Sequence, residues 1–140
     1  MSETDAALTR MAHESMSFTK EIGLEIVSGD SGRVVGRASW AAQRCTSGGA
    51  LHGGYLMALA DSMGGMCAFL NLPEGAGTAT IESKTNFFRG VTEGDVLITS
   101  EPIHIGRTTI VVQTDITRAD GKLATRTLQT QAVLAPRSSS

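Results

Sequence analysis

Leu51-His52-Gly53-Gly54-Tyr55-Leu56-Met57-Ala58-Leu59-Ala60-Asp61 opens a run, extending to Leu70, in which almost every residue is apolar or small and Asp61 is the sole formal charge. Apolar residues all round a helical projection mark a helix enclosed by protein rather than one lying on a surface. The run therefore predicts a buried helix over residues 51–70. A carboxylate in such a place is costly unless donors meet it, so Asp61 is either matched from elsewhere in the fold or held for chemistry.

The flanking sequence supplies what encloses that helix. Residues 5–18 read as an amphipathic helix, and residues 24–28 start a strand. The turn Gly29-Asp30-Ser31-Gly32 then leads into a second strand over 33–40. A loop over 41–50 delivers the chain to the apolar helix. After Pro73-Glu74-Gly75 come strand-like runs over 78–88, 95–105 and 108–118. The last alternates, with Ile110, Val112 and Ile116 on one face against Gln113, Asp115 and Thr117 on the other. Asp120-Gly121 is a hairpin signal returning the chain over 122–134, and Pro102 predicts a bulge or an edge in its strand. The tail over 137–140 reads as flexible. One apolar helix with five or six antiparallel strands implies an α+β fold in which the sheet curls around the helix. A sheet edge and a helix flank are then left open to self-association.

At 140 residues the chain is long enough for one domain with a real core and too short for two. A formal net charge of −2 gives no global positive field, which argues against nucleic acid and anionic membrane as main partners. Asp61, His52 and four glycines dilute the apolar run below what membrane insertion requires. Glu3 and Asp5 stand where a signal peptide would be basic, so a cytoplasmic location is expected. Cys45 and Cys67 are neither paired closely nor grouped with His13, His52 or His104, which leaves disulfide and metal readings without support. No metal and no cofactor is expected.

The chemistry-bearing pattern is a His-Gly-Gly start to an apolar helix. Such a start presents bare N–H groups at the positive end of the helix dipole. Gly53 and Gly54 carry no Cβ, so a ligand carbonyl can approach their amides and find an oxyanion site; the alternative is that both merely permit a tight turn. Gly53 and Asp61 are eight residues apart, which at about 1.5 Å per residue puts roughly 12 Å between them along the helix. They cannot act on one carbonyl within one chain, whereas two antiparallel copies of the helix across a dimer could supply one each. Gly64 and Gly65 lie on the face of Asp61, leaving room for a substrate, for a partner helix, or for close packing on the sheet.

These residues, with Ala50-Leu51-His52-Gly53-Gly54 nine residues ahead of Asp61, Thr85 to Asp95 (Thr-Asn-Phe-Phe-Arg-Gly-Val-Thr-Glu-Gly-Asp), and Ile105-Gly106-Arg107, resemble hotdog-fold acyl-CoA thioesterases, most of all the phenylacetic-acid-degradation type. The resemblance spans residues 18–134. It implies that the Gly53 amide forms the oxyanion site and that Asp61 of the facing subunit acts as general base or nucleophile. It also implies an acyl-CoA partner and a dimer or a tetramer built from two dimers. Related hydroxybenzoyl-CoA enzymes would carry Glu at the position of Asp61. Many relatives have Asn or Gln where this chain has Thr46, with Gln43 three residues earlier. Thr80 is the candidate hydroxyl beside the attacking water, and equally a plain β-strand residue. His52 is read as orienting the glycine amides, Gly54 and Gly65 as lining the substrate, and Arg89, Arg107 and Lys84 as candidates for the CoA phosphates. Met57, Met63 and Met66 read as core before pocket.

Two other functions stand beside the thioesterase. A hydratase on the same fold would need His52 and Asp61 on one substrate, and the two are turned away from each other within a chain. A non-catalytic acyl-CoA binding module is favoured by Thr46.

Overall fold

Asp5 caps the first helix by accepting from the Leu8 N–H at 3.0 Å, and the helix, α1, runs over Ala6–Ser15. The single helix expected over 5–18 is in fact two, because the backbone leaves helical geometry at Met16 before α2, Phe18–Glu21. The buried Thr19 hydroxyl ties the corner to Met16 O at 2.7 Å and Ala12 O at 3.2 Å. This is a computed structural model, and it describes residues 3–136; the tail over 137–140 lies outside the described residues.

The strands are β1 (Glu25–Asp30), β2 (Arg33–Ser39), β3 (Gly77–Phe87), β4 (Asp95–Ile105), β5 (Thr109–Thr117) and β6 (Leu123–Leu134), with the long helix α3 over Gly53–Phe69. All are antiparallel neighbours in one sheet ordered β1-β2-β4-β5-β6-β3. The sheet wraps α3, the hotdog arrangement implied by the resemblance. Asp30 builds the first hairpin turn by accepting from the N–H groups of Gly32 and Arg33. The Asp120-Gly121 turn is one residue longer than a two-residue hairpin: Gly121 N–H donates to Arg118 O, and Gly121 takes φ +82°, where only glycine is free of strain. At Pro102 the register with β5 shifts and Ile103 bulges out, as proline's missing donor requires.

Leu56, Leu59, Ala60, Met63, Met66 and Cys67 of α3 pack onto Ile26, Val34, Val96, Ile98, Ile110, Val112 and Ile116 of the sheet. Each large side chain buried there contributes about 1.5–3 kcal/mol relative to exposure. Burial pushes the Cys67 thiol up to about 11. The expectation that α3 is enclosed on every face is corrected. Gly54, Met57, Asp61 and Phe69 are exposed, a stripe at helical spacing that the sheet does not cover. The reason is geometric: one sheet can wrap only part of a helix, and the stripe lies beyond its β3 edge.

β6 reverses the usual sense of alternation. Thr125, Thr127, Gln129 and Gln131 face inward and are buried, while Arg126 and Leu128 face out. The helix thus rests partly on a polar strip.

Candidate active site

Residues 41–52 set the helix N-terminus. Gly48 and Gly49 both adopt positive φ, and an isolated bridge pairs Cys45 with Leu51. Trp40 Nε1 donates to Gly49 O at 2.9 Å, His52 N–H to Arg44 O, and Leu51 N–H to Val91 O. Arg44 lies over the Tyr55 ring at 5.3 Å while the Tyr55 hydroxyl donates to Ile22 O at 2.6 Å. Burial raises the Tyr55 phenol, with the Arg44 charge acting the other way.

At the end of this loop His52 is the cap of α3: its Nδ1 accepts the Gly54 N–H at 2.8 Å, which places the ring proton on Nε2. The Gly54 amide is therefore engaged within the chain. The Gly53 amide, in the first turn of α3, has no partner among the described residues. The ring of Phe87, from the far end of β3, packs over Gly53 where a Cβ would meet it at 3.3 Å. Thr46 is exposed and its hydroxyl makes no hydrogen bond among the described residues; Gln43 is exposed in the preceding turn.

Two turns further along α3 stands Asp61, exposed rather than buried, which corrects the opening expectation. It is nevertheless held. Gln129 Nε2 donates to Asp61 Oδ1 at 2.7 Å. Thr80 sits beside it, receiving Gln131 Nε2 at 2.8 Å and Gln129 Nε2 at 3.4 Å. With both lone pairs of Thr80 Oγ1 facing amide donors, its own proton is available to donate outward. Gln131 is fixed in turn by the Thr78 hydroxyl, 3.1 Å from its Oε1. A register shift in β3 between Thr80 and Glu82 turns the strand at this point, a common device beside sites.

Asp61 and Thr80 edge a pocket of about 550 Å³ between α1, α2, α3 and the start of β3. Its walls are largely apolar: Met11, Met16 and Phe18 from the N-terminal helices, Met66 and Phe69 from α3. Gly65 opens onto it, with nothing within 4 Å of where its Cβ would be, whereas Gly64 is packed against Gln129. Met63 is core, Met57 exposed, and Met66 serves both core and pocket.

The three cations do not converge. Lys84 lies on the outer face of β3, since its neighbour Thr85 bonds inward to Thr127. Arg89 follows β3 and donates to Leu123 O at 2.9 Å, while Arg107 stands in the β4–β5 turn at the opposite end of β5. Nine residues of β5 put about 27 Å between those ends at roughly 3.4 Å per step. Gln129, Gln131, Phe87 and the α1–α2 wall of the pocket are not singled out by the sequence reading. The one signal for the glutamines is the polar alternation Thr125, Thr127, Gln129, Gln131.

The six-stranded sheet wrapped around α3 defines a hotdog fold. Residues 48–125 match the family described as the Thioesterase superfamily, and the chain belongs to it. A protein of Saccharolobus solfataricus named provisionally as an esterase is 27% identical over 134 residues, covering 96% of this chain and 95% of that one. The crystal structure of a thioesterase from Haemophilus influenzae superposes with a TM-score of 0.85 at 28% identity, covering 96% of this chain and 92% of that one. A hypothetical thioesterase from Streptococcus pneumoniae, solved with coenzyme A, gives 0.79 at 27% identity over 90% of this chain and 99% of that one. Among the described residues no helix is long and apolar enough to cross a membrane.

Proposed function

We propose that this protein is an acyl-CoA thioesterase acting in the cytoplasm on an apolar, aryl or hydroxyaryl acyl group of the phenylacetyl kind. The observation that carries the reading is Asp61, a carboxylate fixed by a buried amide at the mouth of an apolar pocket, on the same helix as the Gly53 amide, which has no partner among the described residues. The coenzyme A seen with the Streptococcus pneumoniae relative supports CoA as the carrier.

Because Gly53 and Asp61 are separated along one helix by about 12 Å, the site takes one from each of two copies in a dimer. The open stripe of α3 and the edge strand β3, with Ile81 62% and Phe87 51% exposed, support that pairing. The outer sheet face, where Leu97 and Leu128 are exposed, supports a pairing of two such dimers into a tetramer. The acyl group fills the pocket and the thioester carbonyl oxygen meets the Gly53 N–H. Asp61 of the other copy takes a proton from water, which adds to the carbonyl carbon, or adds there itself to give a mixed anhydride that water opens. The oxyanion is stabilised at Gly53, the C–S bond breaks, and the CoA sulfur leaves and takes up a proton. Arg89 and Arg107 of one chain are too far apart to hold one CoA diphosphate, so each would serve a different site of the dimer.

Release of free thiol from a panel of aryl and aliphatic acyl-CoAs tests this. The wild type is expected to turn over aryl esters, with Asp61→Asn reduced about a hundredfold or more. Binding of the esters without thiol release by the wild type would overturn hydrolysis in favour of the binding module to which the exposed, unbonded Thr46 points.

A further inference from the structure

Gln129 stands on β6 with 1% of its surface exposed, directly beneath the Asp61 turn of α3. Both of its amide protons are directed at the site, one to Asp61 Oδ1 and the other to Thr80 Oγ1, while its Oε1 is buried with no partner among the described residues. An orphaned buried acceptor is unfavourable, and a side chain free to turn over would exchange its two ends. Here it cannot, because turning over would press Oε1 against the Asp61 carboxylate, two acceptors with no proton between them. The orphaned oxygen lies instead where a Cβ of residue 64 would be, and only the absence of that Cβ admits it. Gly64 follows Asp61 by three residues on the same helix face and is unfavourable for a helix interior on its own account.

From this we infer that Gln129 and Gly64 form one positioning unit for Asp61. The glycine admits the amide, and the amide holds Oδ1 so that Oδ2, which accepts no hydrogen bond among the described residues, is the oxygen presented to the reaction. Gln131, fixed by Thr78, does the same for the Thr80 hydroxyl. The inference rests on Asp61 being the reacting carboxylate. It adds that Gln129, which does not line the pocket, acts through it.

Steady-state thioester hydrolysis and thermal melts of Gln129→Met, Gly64→Ala, their double variant and Asp61→Asn test it. Methionine matches the length of glutamine without its donor, so Gln129→Met is expected to lower kcat about tenfold or more with KM within twofold and no loss of melting temperature. Gly64→Ala, which displaces the same amide, is expected to lower kcat similarly, and the double variant to fall no further than the worse single one. Gln129→Asn, one methylene short of Asp61, is expected to behave as Gln129→Met; if Gly64→Ala fails to fold, these two decide alone. A kcat within twofold of wild type in Gln129→Met, a loss confined to KM, or losses that multiply in the double variant would overturn the inference while a dead Asp61→Asn left the acid's role standing. An active Asp61→Asn would remove that role, and the inference with it.

Discussion

Asp61 is legible in the sequence as the one charge in an apolar helix, but its surroundings are not. Sequence periodicity places it inside, whereas the chain leaves it exposed on an open stripe and secures it through Gln129, a residue 68 positions away. No local pattern encodes such a pair, because register across strands decides it. His52 shows the converse: its place just before Gly53-Gly54 is a local signal, and its ring caps the helix by the short bond to Gly54 that local geometry allows. At this scale the Thr80 hydroxyl makes a testable claim. With its lone pairs facing two amides its proton is free for a water beside Asp61 in the proposed mechanism, so Thr80→Val is expected to reduce kcat by about tenfold, the worth of about one hydrogen bond, and, by leaving the buried Gln131 amide without its acceptor, to lower the melting temperature by a few degrees. Parallel kinetics and melts read both; an unchanged kcat would mark Thr80 as a strand residue only.

Among the elements, β5 was readable because its apolar residues alternate with polar ones and the apolar set is buried. β6 is readable as a strand from the turn before it, but its buried face is not, because its inward set is Thr125, Thr127, Gln129 and Gln131, and alternation alone does not say which face turns to the core. In α3 the adjacent glycines divide the two roles that the sequence left open for both. Gly64 is packed against Gln129, and Gly65 faces the pocket with open space beside it. Gly65→Ala should therefore stabilise the helix by about 1 kcal/mol, raising the melting temperature by about 2–5 °C. The added methyl narrows the pocket, so kcat/KM for bulky acyl groups should fall while small acyl groups are spared. Melting curves and a substrate series check both halves, and a lowered melting temperature would show that the space beside Gly65 is filled.

For the whole molecule, the order of elements and the wrapped sheet followed from the sequence because one apolar helix and a set of antiparallel strands have few ways to bury each other. The pocket did not, since it forms where α1 and α2 meet α3 and β3, and no single stretch describes that junction. At this scale too, Gly53 and Asp61 of one chain are too far apart to share a carbonyl, so in the proposed mechanism each site would span two chains. Co-expression of Asp61→Asn with Gly53→Pro, carrying different affinity tags so that mixed dimers are isolated, tests it most directly. Proline is well tolerated in the first position of a helix and removes the N–H that would bind the oxyanion, its Cβ meeting the Phe87 ring at 3.3 Å, a contact that a small shift of that ring relieves. Each variant alone should be nearly inactive, and the mixed dimer should regain about half of wild-type turnover, because one of its two sites unites an intact Gly53 with an intact Asp61. A mixed dimer no more active than its inactive parents would contradict a site shared between chains.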